Sequence, residues 1–203
     1  MAKNIRQIVE RAQMFYEKYC LKHLKTNDYD YAFVSARYSY QTATKRAIKY
    51  VSKEEKINST SMRFEDEKKI VNFLTTGDFK LESIATLAHE IRNDYQKVGV
   101  HDFLYGNAQK WINMSIKYFL ISESSPNDKF DYDLFKQLQD KTNYSIMPVD
   151  GIMIKKNKEL LKISFEYSSW SGCDDLNAFI SYWQKLQKEI TDQSLIEYEI
   201  VTW

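Results

Sequence analysis

Hydrophobic residues along this chain recur with the spacing of helices. Residues 4 to 24 place apolar side chains every three or four positions, and Asn4 can cap their first turn. A second run, residues 31 to 51, repeats the pattern with aromatic and small side chains, and Asp28 or Asp30 can start it. The N-terminal quarter is therefore predicted to form two helices.

The middle of the chain is predicted to hold two more helices. Residues 58 to 61 form a polar linker that supplies a cap, and the apolar pattern that follows ends at Gly77, a suitable C-terminal residue. The next pattern runs from Leu81 to about Gly99. The short polar connections between these predicted helices favour a helical fold over a β fold with many strands.

Leu104 to Asp150 is the stretch with the most chemistry. Asp102 begins a very short predicted helix that reaches Leu104 or Tyr105, and the chain then turns at Gly106. A long apolar helix is predicted from about Asn107 to Ile121, followed by a clear polar loop.

The remaining residues continue the helical pattern. A short amphipathic helix covers 131 to 138, and Pro148 makes Asp150 the expected cap of another helix. Residues 161 to 167 alternate apolar and polar, which predicts one short strand or hairpin. Asp174 or Asp175 can cap the last long helix, and the apolar tail after it can dock on the body.

Composition supports this fold class. The 203 residues are 43% hydrophobic with a net charge of +1, and they include five Gly and two Pro. We predict an all-α fold of one domain, residues 1 to 203, with lobes at about 30–100 and 101–190 and terminal helices packing across both. Two distant cysteines indicate reduced thiols. The absence of a secretory signal or an 18-residue apolar run predicts a cytoplasmic protein with no membrane partner.

The central stretch combines three features that suit chemistry on a nucleic acid. A short helix, a Gly turn and a second helix present backbone N–H groups to a phosphate. Lys110 lies in the first turn of that second helix, where the dipole and partial burial lower the pKa of its amine and make it a nucleophile. Asp150 can bring a carboxylate to the same cleft.

These residues resemble a known family. Leu104, Gly106 and Lys110, followed by an apolar helix and Pro148-Val149-Asp150, are similar to the helix-hairpin-helix of base-excision DNA glycosylases, closest to the archaeal-type 8-oxoguanine branch. Tyr105 replaces the usual proline, Ala108 the second glycine and Gly151 a polar residue. The spacing between Lys110 and Asp150 is longer than usual, and the four-cysteine cluster of one branch is absent.

The resemblance implies a function: a monomeric DNA N-glycosylase, with or without lyase activity, that removes an oxidised or modified base from double-stranded DNA. Lys110 would attack the sugar carbon and Asp150 would assist. The implied hairpin needs no cofactor beyond an optional monovalent cation, and no metal is held by side chains. The backbone contacts would come from Gly106, Asn107, Ala108 and Gln109.

Two questions stay open from the sequence. Trp111, Trp170 and Trp183 are either core residues or the lining of a base pocket. The chain is either an active glycosylase or a catalytically inactive nucleic-acid or protein interaction module on the same fold.

Other catalytic motifs are incomplete. His101-Asp102 lacks a suitable upstream histidine for a His-Asp phosphohydrolase, and Arg92 and His101 are nine residues apart, too far for a helical ribonuclease pair. His89-Glu90 has no second histidine at the spacing of a zinc protease helix.

Overall fold

The protein is described by a computed structural model that covers residues 4–22, 30–45, 48 and 52–203. All regular structure in these ranges is helical, which confirms the all-α prediction. The α-helices of the described ranges, in chain order, are α1 Ile5–Phe15, α2 Tyr31–Ser39, α3 Lys53–Thr76, α4 Leu81–Lys97, α5 Tyr105–Glu123, α6 Tyr132–Lys141, α7 Gly151–Leu161, α8 Leu176–Glu189 and α9 Leu195–Thr202.

Side-chain caps define where most of these helices begin. Asn4 and Asp30 accept hydrogen bonds from the first turns of α1 and α2, and Asp150 and Asp175 do the same for α7 and α8. Asp28, the other expected start of α2, lies outside the described residues. Gly77 ends α3 in the left-handed region with φ +70°, where glycine is unstrained. These boundaries were predicted from sequence and are confirmed.

Helix α5 is the centre of the fold. Fourteen of its 19 residues are buried, so it is enclosed on nearly all sides instead of showing one apolar stripe. It packs against α2, α3, α4 and α6. The Trp111 indole donates a hydrogen bond to the Ala36 carbonyl at 2.8 Å, and the Ser39 and Ser115 hydroxyls lie 2.6 Å apart. Polar contacts of this kind fix α2 on α5.

The C-terminal helix closes the other side of the core. Helix α9 contacts both α1 and α7 and begins with a capping box, in which Ser194 and Glu197 each accept from the other's backbone amide. Glu199 of α9 reaches α5, where its carboxylate lies 2.6 Å from the Lys117 amine in a fully buried ion pair. The predicted docking of the tail is therefore confirmed.

A second buried acid lies between α3 and α4. Asp66 is fully buried, and Lys69 bridges its carboxylate to that of Asp94. Burial raises the pKa of the Asp66 carboxyl to about 7; Lys69 acts to lower that pKa and Asp94 to raise it.

Three details differ from the sequence predictions. Residues 58–61 are not a linker, because α3 runs through them and their Ser59 and Thr60 hydroxyls bond back to the Lys56 carbonyl. The first helix changes at Phe15 into a π-helical turn, Tyr16–Leu21, and α2 continues into another, Tyr40–Thr44. The alternating segment 161–167 forms no strand: Leu161 ends α7 and the rest is irregular.

The predicted division into two lobes stays a prediction. Helix α5 packs against α2, α3 and α4 from the first predicted lobe and against α6 from the second. Within the ranges that the structure covers, no helix combines the length and apolar composition needed to cross a bilayer.

Candidate functional site

Lys110 and Asp150 meet on one side of α5. The Lys110 Nζ lies 3.4 Å from the Asp150 Oδ2, although the residues are 40 positions apart in the chain. The two side chains keep 13% and 15% of their surface exposed. The pair therefore lies just beneath the protein surface and not in the deep core.

The two oxygens of Asp150 have different partners. Oδ1 accepts hydrogen bonds from the Ile152 and Met153 amides at 3.0 and 2.9 Å, which caps α7. Oδ2 is directed to Lys110. The cap fixes the rotation of the carboxyl group, so the oxygen that faces the amine is held in place by backbone amides.

Buried hydrogen bonds hold the extended segment before Asp150 against α5. The Gln109 side-chain amide donates to the Val149 carbonyl at 2.9 Å, and the Trp183 indole donates to the Met147 carbonyl at 3.0 Å. Pro148, which favours an extended residue before it, lies between these two anchors. The position of Asp150 relative to Lys110 is thus set from both sides of the segment.

Trp170 covers the Lys110 amine. The Lys110 Nζ is 4.4 Å from the centre of the indole ring, within the range of a cation–π contact. The loop that carries Trp170 is attached to the start of α5, because the Gly106 amide donates to the Cys173 carbonyl at 3.0 Å. An added Cβ at Gly106 would lie 2.6 Å from the Trp170 carbonyl carbon and closer still to its oxygen. Glycine is required here for close backbone approach.

These surroundings affect the protonation of the amine. Burial lowers the pKa of Lys110 below its ordinary value, and the charge and hydrogen bond of Asp150 raise that pKa part of the way back. Glu199 adds a smaller effect in the same direction as Asp150. The net shift is downward, so a neutral, nucleophilic amine is more accessible here than on an exposed lysine.

The hairpin prediction needs correction. Gly106 lies inside the first turn of α5, residues 101 to 104 are not helical, and positive φ occurs at Gly77 and Gly99 but not at Gly106. The turn between α4 and α5 therefore lies before Gly106. It does not have the short-helix, glycine-turn form that the sequence predicted.

The four expected phosphate-binding residues are also enclosed. Gly106, Asn107, Ala108 and Gln109 are all buried. The amides at the start of α5 are occupied: Tyr105 N–H donates to the Asp174 carboxylate, Gly106 N–H to the Cys173 carbonyl, and the Asn107 and Ala108 amides to the Leu104 carbonyl. A helix N-terminus whose amides are already bonded to protein has none left for a phosphate in this arrangement.

The three candidate tryptophans lie in different environments. Trp111 and Trp183 are fully buried core residues whose indole N–H groups bond backbone carbonyls, so the base-pocket prediction is wrong for them in this conformation. Trp170 is half-buried beside Lys110 and is the one placed to contact a ligand at the pair.

One neighbouring group was not predicted. Asp174 binds the Arg92 guanidinium through both its oxygens and also accepts from the Tyr105 amide. The Tyr105 hydroxyl lies 2.5 Å from the His89 Nδ1. In sequence Asp174 was a possible helix cap, and its pairing with α4 had no local signal. Within the described ranges, no group of three His, Cys, Asp or Glu side chains is placed to hold a metal.

Searches against protein-family models, curated proteins and solved structures find no match to this chain. The geometry at Lys110 is therefore the main support for any functional argument.

Proposed function

We propose that the chain is a DNA N-glycosylase that excises a modified base through Lys110 and Asp150. The observation that carries the proposal is the 3.4 Å approach of the amine to a carboxylate oriented by a helix cap, close to the surface. The lowered pKa of Lys110, caused by burial, suits a nucleophile. The order of the motif residues, similar to that of the glycosylase family, supports the same chemistry.

The proposed reaction uses these two groups in sequence. The neutral Lys110 amine donates its electron pair to the sugar C1′, and the bond from C1′ to the base breaks, with the base taking that electron pair and a proton. Asp150 accepts the proton that the attacking nitrogen loses and passes it to the departing base, which leaves neutral. Opening of the sugar ring at O4′ then gives an imine between Lys110 and C1′. Water hydrolyses this imine and releases the sugar. Alternatively, loss of a C2′ proton from the imine breaks the C3′–O bond, the 3′ phosphate departs, and the strand is cleaved.

Trp170 is the group that a DNA substrate would meet first. Its indole lies over the amine, so the ring has to move aside or stack against the displaced sugar and base before attack. Since the amides at the start of α5 are bonded to protein, the DNA backbone would be held by other groups than the hairpin. Because the net charge of the chain is only +1, the DNA phosphates would be bound by a locally basic surface and not by the overall charge of the protein.

Borohydride trapping tests the proposal. Wild type is incubated with duplexes that carry single oxidised, deaminated or alkylated bases, or an abasic site, and imines are reduced to stable adducts. We expect an adduct with wild type and none with Lys110→Gln. Lys155→Gln, which removes an amine 78% exposed on α7, is the matched control and should trap like wild type. Asp150→Asn keeps a capping side chain and should slow base release by about 100-fold or more.

Two outcomes separate the proposal from its alternative. No adduct and no base release across all the duplexes, with folded proteins throughout, overturns the enzymatic claim. Salt-sensitive DNA binding that is the same in wild type and Lys110→Gln would then favour an inactive binding module, in which the lysine, aspartate and tryptophan serve to fasten the 162–175 loop to α5.

A further inference from the structure

A separate cavity lies where α1 and its π-helical turn meet α5 and α9. Its volume is about 170 Å³. An apolar protein cavity of about 150 Å³ is large enough to bind benzene. The space therefore fits one aromatic ring and is too small for a fused, drug-sized ligand. The described residues that line it are Arg11, Met14, Phe15, Lys18, Tyr19, Lys117, Ile200 and Trp203.

Aromatic rings form the walls of this cavity. Phe15, Tyr19 and Trp203 lie with their ring centres 5.1 to 6.4 Å apart, and Trp203 meets the other two edge-on. Trp203 is 41% exposed and Met14 is 59% exposed. Large apolar side chains left open to water beside a cavity indicate a surface that a planar ring can cover.

The charged side chains that line the cavity are all cationic. Arg11 and Lys18 stand at its rim, exposed to solvent, and the buried Lys117 ammonium lines its floor, 4.3 Å from the Phe15 ring and 5.2 Å from the Trp203 ring. Among the described lining residues there is no carboxylate side chain. Glu199 neutralises Lys117 from behind, so the two rim cations provide the net positive field.

We propose that this cavity binds a small aromatic anion, in which one ring carries one carboxylate or phosphate group. The ring occupies the cavity and packs against the wall that Phe15, Tyr19 and Trp203 form together, and the anionic group faces Arg11 and Lys18 at the mouth. The proposal is independent of the glycosylase proposal: Lys117 is seven residues from Lys110 on α5, about 10 Å along the helix axis, so the two sites are distinct.

Binding by calorimetry and ligand-observed NMR, on the full chain, tests this. The probes are benzoate and phenyl phosphate, with thymidine 5′-monophosphate to distinguish a nucleotide source from a free aromatic acid. Benzyl alcohol lacks the charge, and cyclohexanecarboxylate lacks the aromatic ring. We expect a Kd for benzoate or phenyl phosphate on the order of 0.1 to 1 mM, in line with the affinity available to ligands of this size. The two control compounds should bind at least about fivefold more weakly.

Variants at the exposed rim link binding to this cavity without disturbing the buried ion pair. The combined Arg11→Gln and Lys18→Gln change should weaken phenyl phosphate binding about tenfold and remove its salt dependence, and Trp203→Ala should weaken binding of both anions. Arg6→Gln, on the same helix but away from the cavity, is the matched control and should bind like wild type. No binding of any anion at 10 mM, about ten times the weakest expected Kd, overturns the proposal. Binding equal for benzyl alcohol, or unchanged in the rim variants, also overturns it.

Discussion

The close approach of Gly106 to the Trp170 backbone gives a sharp test of how the loop is held on α5. An added methyl at Gly106 would lie 2.6 Å from a backbone carbonyl carbon, and a backbone cannot rotate away as a side chain can. The Gly106→Ala chain must therefore shift the loop or the helix. Either shift loosens the hydrogen bond from the Gly106 amide to the Cys173 carbonyl.

The expected size follows from three effects. Overpacking at a rigid contact costs about 1 to 3 kcal/mol, and the loss of one backbone hydrogen bond costs about 1 kcal/mol. Alanine in place of glycine inside a helix returns up to about 1 kcal/mol. We expect Gly106→Ala to lower the free energy of unfolding by about 1 to 4 kcal/mol, because the steric effect and the lost hydrogen bond together exceed the gain in helix propensity.

Gly151→Ala is the matched control. Gly151 is also in the first turn of a helix and also faces Trp170, but its added methyl would meet the Trp170 Cδ1 at 4.0 Å, an ordinary contact. This variant should be as stable as wild type or up to about 1 kcal/mol more stable. Urea unfolding followed by circular dichroism measures both. If Gly106→Ala is as stable as Gly151→Ala, the close approach does not exist in solution and the placement of Trp170 over Lys110 is wrong.

Three further predictions concern buried charges and a cap. Because burial raises the pKa of Asp66 to about 7, the native state holds a proton that the unfolded chain releases near pH 4, so wild-type stability should fall as the pH rises from 4 to 7. Asp66→Asn should flatten that slope in urea unfolding across pH; an unchanged slope would contradict it. Lys117→Met should destabilise the protein by about 3 kcal/mol at pH 8, because it leaves the Glu199 carboxylate buried without a partner. Adding Glu199→Gln to this variant should recover most of the lost stability, because the buried charge is then removed. Additive effects of the two changes in a double-mutant cycle would count against this explanation. Ser194→Ala should lose about 1 kcal/mol through its cap on α9, whereas Gln193→Ala, at a partly exposed neighbour that does not cap the helix, should change the unfolding midpoint little.

The helical fold was accessible from the sequence because its signals are local. Asn4, Asp30, Asp150 and Asp175 each cap a helix through an amide two or three residues away, and Gly77 ends one in a conformation that glycine favours. Such contacts depend on spacing along the chain, which the sequence displays.

The polar segment at 58–61 is helical although its composition predicts a linker, because Ser and Thr occur both at helix caps and within helices. Ser59 and Thr60 have side chains that cap helices, yet here their hydroxyls bond a carbonyl of the preceding turn while α3 continues. Packing of α3 against α2, α4 and α5 decides the outcome, and that contact is not visible locally.

The candidate site also has one feature that the sequence predicts and one that it does not. The approach of Lys110 to Asp150 was anticipated from the order of the motif residues, but the reason for Gly106 was not. A glycine that permits a positive φ and a glycine that admits a neighbouring backbone look identical in a sequence. Gly106 belongs to the second kind, and its neighbour Trp170 is too distant in the chain to be inferred from pattern.

The ion pair between Lys117 and Glu199 has a consequence for how the chain is made. The two residues are separated by 82 positions, so the helix at the centre of the fold is synthesised long before the carboxylate that neutralises its buried lysine. At about 5 to 20 residues per second, the ribosome takes roughly 4 to 16 s to cover that interval. During that time a buried Lys117 would lack its carboxylate, and we expect the cost of burying an unpaired charge to keep this part of the core open. Closure of the core around Lys117 is therefore expected to wait for α9.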